Sequence, residues 1–317
     1  MKIKFLGFKW NLLCHEIQLP NFCFHLQQDG KNRIQTVTEK LTLKTHSDMP
    51  TPIIVLIEQS DWWTGASIKI KDIRAFCKMI EENGDVKLTT EKLKGNETAV
   101  EVNFFVLNKN TGCGLYQYYH QSIWLDTFNK HCRGQYDSLV RKRREDLVQR
   151  DAKKSEIAKF NKSKTLTYEI MATKERLPEL VRSLESVKRL EIVAAEHLIK
   201  EGAFTPLAGR VSRVRHSFII GKKNGRSLVE SIAAALEKSL LKKAKVVGMI
   251  PGNLDVVYKL EDNYQSFGEI DHDKATDGNL LEIDIGNIDE SLKKSGMLKM
   301  MLDVVKNQKH KKMFAGQ

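Results

Sequence analysis

The chain has little of what marks a secreted or membrane-inserted protein. Five cysteines among 317 residues, odd in number, scattered and without a Cys-x-x-Cys pair, do not build a disulfide framework or a zinc ribbon. No apolar stretch approaches the roughly 18 to 20 residues that cross a bilayer. The one short mixed run near the start, Phe5 to Cys14, has no small-residue cleavage site after it, so a secretory signal is not expected. Internal repeats and low-complexity tracts are absent too. A reducing cytoplasm is the expected setting.

What is present is charge of one sign, unevenly placed. The net charge is +12. Residues 1–140 hold 17 Lys and Arg against 15 Asp and Glu; residues 141–245 hold 26 against 13; residues 246–317 hold 9 against 12. The excess therefore belongs to the middle third. A concentrated positive field attracts polyanions, and nucleic acid is the commonest, because neutralised phosphates release counterions. An anionic membrane surface is the competing partner. It needs a broad apolar face opposite the cations. The densest run, Arg141-Lys142-Arg143-Arg144, has only the narrow stripe Leu139, Val140, Leu147 and Val148 around it. Nucleic acid, DNA or RNA, is the better reading, and membrane insertion is not expected. A solvated helix face would carry the same charges.

Hydrophobic patterning, at 41% apolar residues, indicates an α+β protein. Strands are expected at Lys2 to Trp10, Phe22 to Gln27, Ile34 to Lys44 and Ile53 to Glu58, and a helix over Ile70 to Glu82. A hairpin follows, Val100 to Leu107 and Leu115 to Tyr119 about the turn Asn108 to Gly112. A long charged helix runs from about Ile123 to Phe160, and 161–164 reads as a linker. Then come strand (Thr165 to Met171), helix (Lys174 to Ser186), strand (Val187 to Ala194), strand (Arg210 to Ile220), helix (Ser227 to Lys243, with Leu228, Ile232, Ala235 and Leu236 in register) and strand (Lys245 to Ile250). This is the order of a ferredoxin-like, split βαβ domain. Strands at Val256 to Leu260 and Leu280 to Ile285 and a helix from about Asp289 decorate it. The expected organisation is a β-rich N-terminal module (1–122), a long basic helix and linker (123–164), a ferredoxin-like domain (165–305) and a frayed tail (306–317). RNA-recognition domains, polymerase palms and metabolic enzymes share that plan, so fold alone does not choose a function.

Four constellations carry possible chemistry. On the strand Arg210 to His216, Arg213 and Arg215 are two apart and share a face, spaced to fork onto successive phosphates or stack on unpaired bases; charge on an edge strand also blocks edge-to-edge pairing. The loop Gly221 to Ser227 brings Lys222, Lys223 and Arg226 to a helix N-terminus, a sensible phosphate cradle or an ordinary strand-to-helix turn. Its two glycines have three residues between them, where a P-loop has four, and are followed by Arg-Ser, so it is not a P-loop and NTPase activity is not expected.

Tyr116, Tyr118 and His120 alternate on one hairpin strand. Tyr116 there would stack a base, and Tyr118 and His120 with His131 would form a metal-independent acid–base site for RNA cleavage, although alternating tyrosine is also an ordinary packed sheet face. Asp271, Asp273, Glu282 and Asp284 would hold magnesium for in-line phosphoryl chemistry, yet Asp271 to Asn279 also reads as a polar turn. Cys23 with His25 is a weak zinc seed beside the simpler reading of buried thiols. Trp62-Trp63 is a partner anchor or a corner of the core.

The leading expectation is a protein that grips the phosphate backbone through Arg141 to Arg144 in one zone and Arg213, Arg215, Lys222, Lys223 and Arg226 in another, with no cofactor. The alternatives are a nuclease, magnesium-dependent or not, and an interaction subunit whose basic face meets an acidic protein, including residues 255–290 of a second copy. Roles in phage defence or mobile-element biology fit basic proteins as a class rather than any residue here.

Overall fold

The structure, a computed structural model, describes residues 2–42, 52–71, 75–82, 85–92, 99–120, 122–160, 165–172, 177–195, 213–221, 226–238, 241–250, 254–260 and 267–316. Along the chain, β1 (Lys2–Leu12) leads to α1 (Leu19–Thr42), β2 (Ile53–Gln59), β3 (Trp62–Lys71), β4 (Ala75–Glu82), β5 (Asp85–Lys92), β6 (Ala99–Asn108) and β7 (Cys113–Tyr118). Next are α2 (Leu125–Gln149), α3 (Lys154–Ala158), β8 (Leu166–Met171), α4 (Leu177–Arg182), β9 (Ser186–Ala195), β10 (Arg213–Ile219), α5 (Arg226–Lys238), β11 (Leu241–Ile250) and β12 (Leu254–Leu260). The short β13 (Glu269–Asp271) precedes α6 (His272–Asp277), α7 (Ile288–Lys294), α8 (Gly296–Lys306) and α9 (Gln308–Ala315). The fold is mixed α+β with mostly antiparallel strand pairing. Among the described residues no helix is long and apolar enough to cross a membrane.

Two compact units emerge: residues 1–4, 12–166 and 270–317 form the first, residues 5–11 and 167–269 the second. In the first, β7, β6, β3 and β2 are neighbours in that order, with β2–β3, β3–β6 and β6–β7 antiparallel. The expected hairpin is present: Asn108 Oδ1 accepts the Asn110 and Thr111 N–H groups at 3.0 Å, and Gly112 takes φ 67°, a left-handed value that glycine adopts without strain. α2 reaches this sheet through Phe128, whose ring lies 5.0 Å from Phe105 and 4.8 Å from Tyr116. Trp62 and Trp63 are both buried, which assigns that pair to the core.

Two expectations in this unit are corrected. The segments 22–27 and 34–44, expected as strands, lie in the helix α1 as far as residue 42. Its buried positions Phe22, Cys23, Leu26, Gly30, Ile34 and Val37 recur at three- and four-residue intervals. Gly30 makes this possible: a Cβ there would stand 2.0 Å from the Ile54 carbonyl, so only glycine lets α1 approach β2 this closely. Conversely, of the segment 70–82, expected as a helix, 70–71 end β3 and 75–82 form β4, which pairs with β5 as a separate antiparallel ribbon.

The C-terminal stretch also differs from expectation. Leu280 to Ile285 forms no strand. In the tail 306–317, expected to fray, Lys306 ends α8 and Gln308–Ala315 is the helix α9: Phe314 is fully buried, and Thr111 Oγ1 donates to its carbonyl at 2.5 Å.

In the second unit the sequential order strand, helix, strand, strand, helix, strand holds from β8 to β11, but the spatial order is β10-β9-β11-β12-β8. In the split βαβ plan the first strand pairs with the third and fourth. Here β12 folds back on β11 with Ile250 opposite Leu254 and takes that edge, so β8 pairs in parallel with β12 instead. α5 buries Val229, Ile232, Ala233 and Leu236 and leaves Leu228 at the surface, a stripe rotated by one position from the expected register.

Candidate nucleic-acid interface

α2 changes character halfway along. Its buried residues, Leu125, Asp126, Phe128, Asn129, Cys132, Tyr136 and Val140, trace one stripe at helical spacing and stop at Val140. The positions that would continue the stripe are Arg143, Arg144 and Leu147, so the helix beyond Val140 leaves the core as a spur. Asp151, at φ 50°, turns the chain out of the helix towards α3, and the Arg150 and Asp151 N–H groups close on the Asp146 and Val148 carbonyls.

The electrostatics change at the same point. In the first half, Lys130 pairs with Asp126 at 3.4 Å and Arg133 with Asp137 at 3.9 Å. On the spur, Arg141, Lys142, Arg143, Arg144 and Arg150 are exposed. Among the described residues none of the five makes an ion pair; Arg141 Nη2 donates to Ser138 Oγ at 3.3 Å. Four consecutive cations repel one another, and solvent counterions or a bound anion screen that repulsion.

Two clefts flank the spur, both inside the first unit. The cleft toward α1, of about 620 Å³, is lined by Phe24, His25, Lys142, Arg143, Arg150 and Phe160 among others. The cleft on the opposite side, of about 680 Å³, is lined by Val140, Arg141, Arg144, Val148 and again Phe160. Phe24 is 57% exposed and Val148 54%. His25 reports the field in the first cleft. Burial lowers its pKa, Asp29 opposes that, and the Lys142 and Arg143 charges lower it further.

The other expected site residues fall elsewhere. Arg213 and Arg215 stand at alternate positions on β10, opposite Ala195 and Val193 of β9, on the end strand of the second unit's sheet order. Lys222 and Lys223 lie outside the described residues. Arg226 is engaged locally: it pairs with Glu230 at 2.8 Å and donates to the Arg182 carbonyl at 2.6 Å, while Arg182 also pairs with Glu230 and Glu237. Its charge is thus already paired with a carboxylate, unlike those of the spur.

Tyr116 is corrected outright. Its side chain is fully buried and its hydroxyl donates to the Ile123 carbonyl at 2.9 Å, because β7 turns it inward beneath α2; it offers no face to a base. Tyr118 stacks edge-on against Trp124 at 4.5 Å and His120 is exposed, whereas His131 sits on α2 beside Asp29 and Arg33 of α1.

The four carboxylates do not converge. Asp271 caps α6 by accepting the Asp273 N–H at 2.9 Å, and Asp284 Oδ1 accepts the Gly286 N–H at 2.9 Å. Asp273 and Glu282 are exposed. Among the described residues no three His, Cys, Asp or Glu side chains gather at metal-binding spacing. Cys23 is fully buried and burial pushes its thiol well up, as for an inert core cysteine.

The first cleft could not be foreseen from the sequence, because its Phe24 and His25 wall depends on α1 being a helix; the second is lined by α2 and Phe160. No protein-family model and no curated protein sequence matches the chain.

Proposed function

We propose that the protein binds nucleic acid through the spur of α2, with Arg141, Lys142, Arg143, Arg144 and Arg150 on the phosphate backbone. One observation carries this reading: five exposed cations within ten residues lack carboxylate partners among the described residues, while the cations earlier on the same helix are paired. Phosphates screen such charges and release counterions on binding. Recognition of this kind positions the protein and reads little sequence. Arg213, Arg215, Lys222 and Lys223 are a second contact zone in this proposal; Arg226 and Tyr116 are not part of it.

The test is fluorescence anisotropy of labelled oligonucleotides across salt concentrations. Affinity is expected to fall steeply from about 50 to 200 mM salt. Replacing Arg141, Lys142, Arg143 and Arg144 by alanine is expected to flatten the log–log slope by about 0.7 to 0.9 per lost contact. A slope near zero in the unaltered protein overturns the reading.

A further inference from the structure

The two clefts carry the reading further, to the kind of nucleic acid. A protein that holds only the phosphates of a duplex needs cations spaced along the backbone and no surface for the faces of bases. Here the cations line concave spaces that also carry the exposed apolar side chains Phe24 and Val148, with the carboxylates Glu16 and Asp146 in one lining and Asp137 and Glu145 in the other. Paired bases in a duplex present their edges and hide their faces; unpaired bases offer a flat π-face that stacks on an aromatic ring.

Phe160, half-buried, lines both clefts, so the two share a wall across the end of the spur. Each cleft is within the range of roughly 300 to 1,000 Å³ that small-molecule sites occupy. Lys142, Arg143 and Arg150 line one, Arg141 and Arg144 the other.

From this we infer that the spur binds single-stranded nucleic acid, with unpaired bases seated in the clefts on either side of Phe160, one against Phe24, and the connecting phosphates held by the cations of the spur. The inference rests on the proposed phosphate-binding function and adds strandedness and the stacking residue to it.

The test compares a 15-nucleotide oligo-dT, a 15-nucleotide oligo-U and a 15-base-pair duplex by anisotropy at one salt concentration. Phe24 is the residue to alter, because its exposure lets it be replaced without unfolding; circular dichroism and a urea midpoint check this. Single strands are expected to bind at least about tenfold tighter than the duplex. Phe24→Leu, which keeps an apolar side chain and removes the ring, is expected to weaken single-strand binding by about 5- to 150-fold and duplex binding by less than about twofold, with the salt slope unchanged. Phe24→Trp is expected to retain single-strand affinity.

Either sugar series alone meeting these ratios supports the inference and names the sugar. Equal affinity for duplex and single strand, or no effect of Phe24→Leu, overturns the inference and leaves phosphate binding standing. No binding of any oligonucleotide at low salt overturns both, as does binding of poly-glutamate alone, which would point to an acidic protein partner.

Discussion

Tyr136 and Cys14 hold one another at both ends of the same contact. The Cys14 N–H donates to the Tyr136 hydroxyl at 3.2 Å, and that hydroxyl donates to the Cys14 carbonyl at 3.4 Å. The Tyr136 ring stands edge-on to Phe22 at 5.1 Å. Burial raises the Tyr136 pKa to about 12, so the phenol keeps its proton and remains a donor at neutral pH. Cys14 lies five residues before α1 begins, and Arg143 is two turns beyond Tyr136. The pair therefore fixes the two helices whose facing sides wall the first cleft. Tyr136→Phe preserves the ring and strands the Cys14 N–H, at an expected cost of about 1 to 3 kcal/mol in urea unfolding. A variant as stable as the parent would show that the contact contributes nothing.

His131 makes stability depend on pH. Its Nε2 is buried without a partner among the described residues. Burial and the Arg33 charge, against Asp29, lower its pKa from 6.5 to about 4. The folded state thus binds its proton more weakly than the unfolded chain. Between those values the unfolded state holds more protons, so stability is fully present above about pH 6.5 and is lost as pH falls toward 4. The separation is worth about 3 kcal/mol at most. His131→Asn removes the proton site. Urea midpoints measured from pH 7 to pH 4 are expected to fall less for the variant by that order. Parallel curves for the two proteins would exclude this role.

The C-terminal helix contributes to the fold as well. Phe314 is fully buried and Gly316, at φ 72°, ends α9 in a left-handed turn. Phe314→Ala should cost about 3 to 5 kcal/mol, as for other buried aromatics. Lys311→Ala, on the exposed side of the same helix, should stay within about 0.5 kcal/mol of the parent. Thermal or urea unfolding of the two variants side by side decides whether the tail is structural.

What could be read from residues alone followed local pattern. The hairpin about Asn108 to Gly112 was legible because Asn and Gly supply the turn chemistry there. The charged run on α2 was legible as charge, but its lack of ion pairs was not, since spacing puts Glu145 and Asp146 within reach of it. α1 was misread because Asp29-Gly30 breaks the pattern and the flanking Ile34, Val37 and Thr38 favour strands. Close packing of Gly30 on β2 overrides that propensity. With α1 read as two strands, neither the Phe24 side of the first cleft nor the depressed pKa of His25 had any basis. Tyr116 was misplaced for the complementary reason: alternation along a strand does not say which face packs beneath α2.

His25 offers a spectroscopic probe of the first cleft. Burial lowers its pKa, and the nearby Lys142 and Arg143 charges lower it again because they repel an imidazolium. Removing those charges must relax the shift, so Lys142→Gln with Arg143→Gln is expected to raise the His25 pKa in an NMR titration. Neutralising them from outside must do the same, so a bound oligonucleotide is expected to move the His25 titration upward in the parent protein and to move it less in the double variant. High salt, which screens the exposed cations, is expected to produce a smaller rise of the same sign. If an oligonucleotide binds while His25 titrates unchanged, its phosphates do not lie beside Lys142 and Arg143, and the contact must be sought on the Arg141 and Arg144 side of the spur.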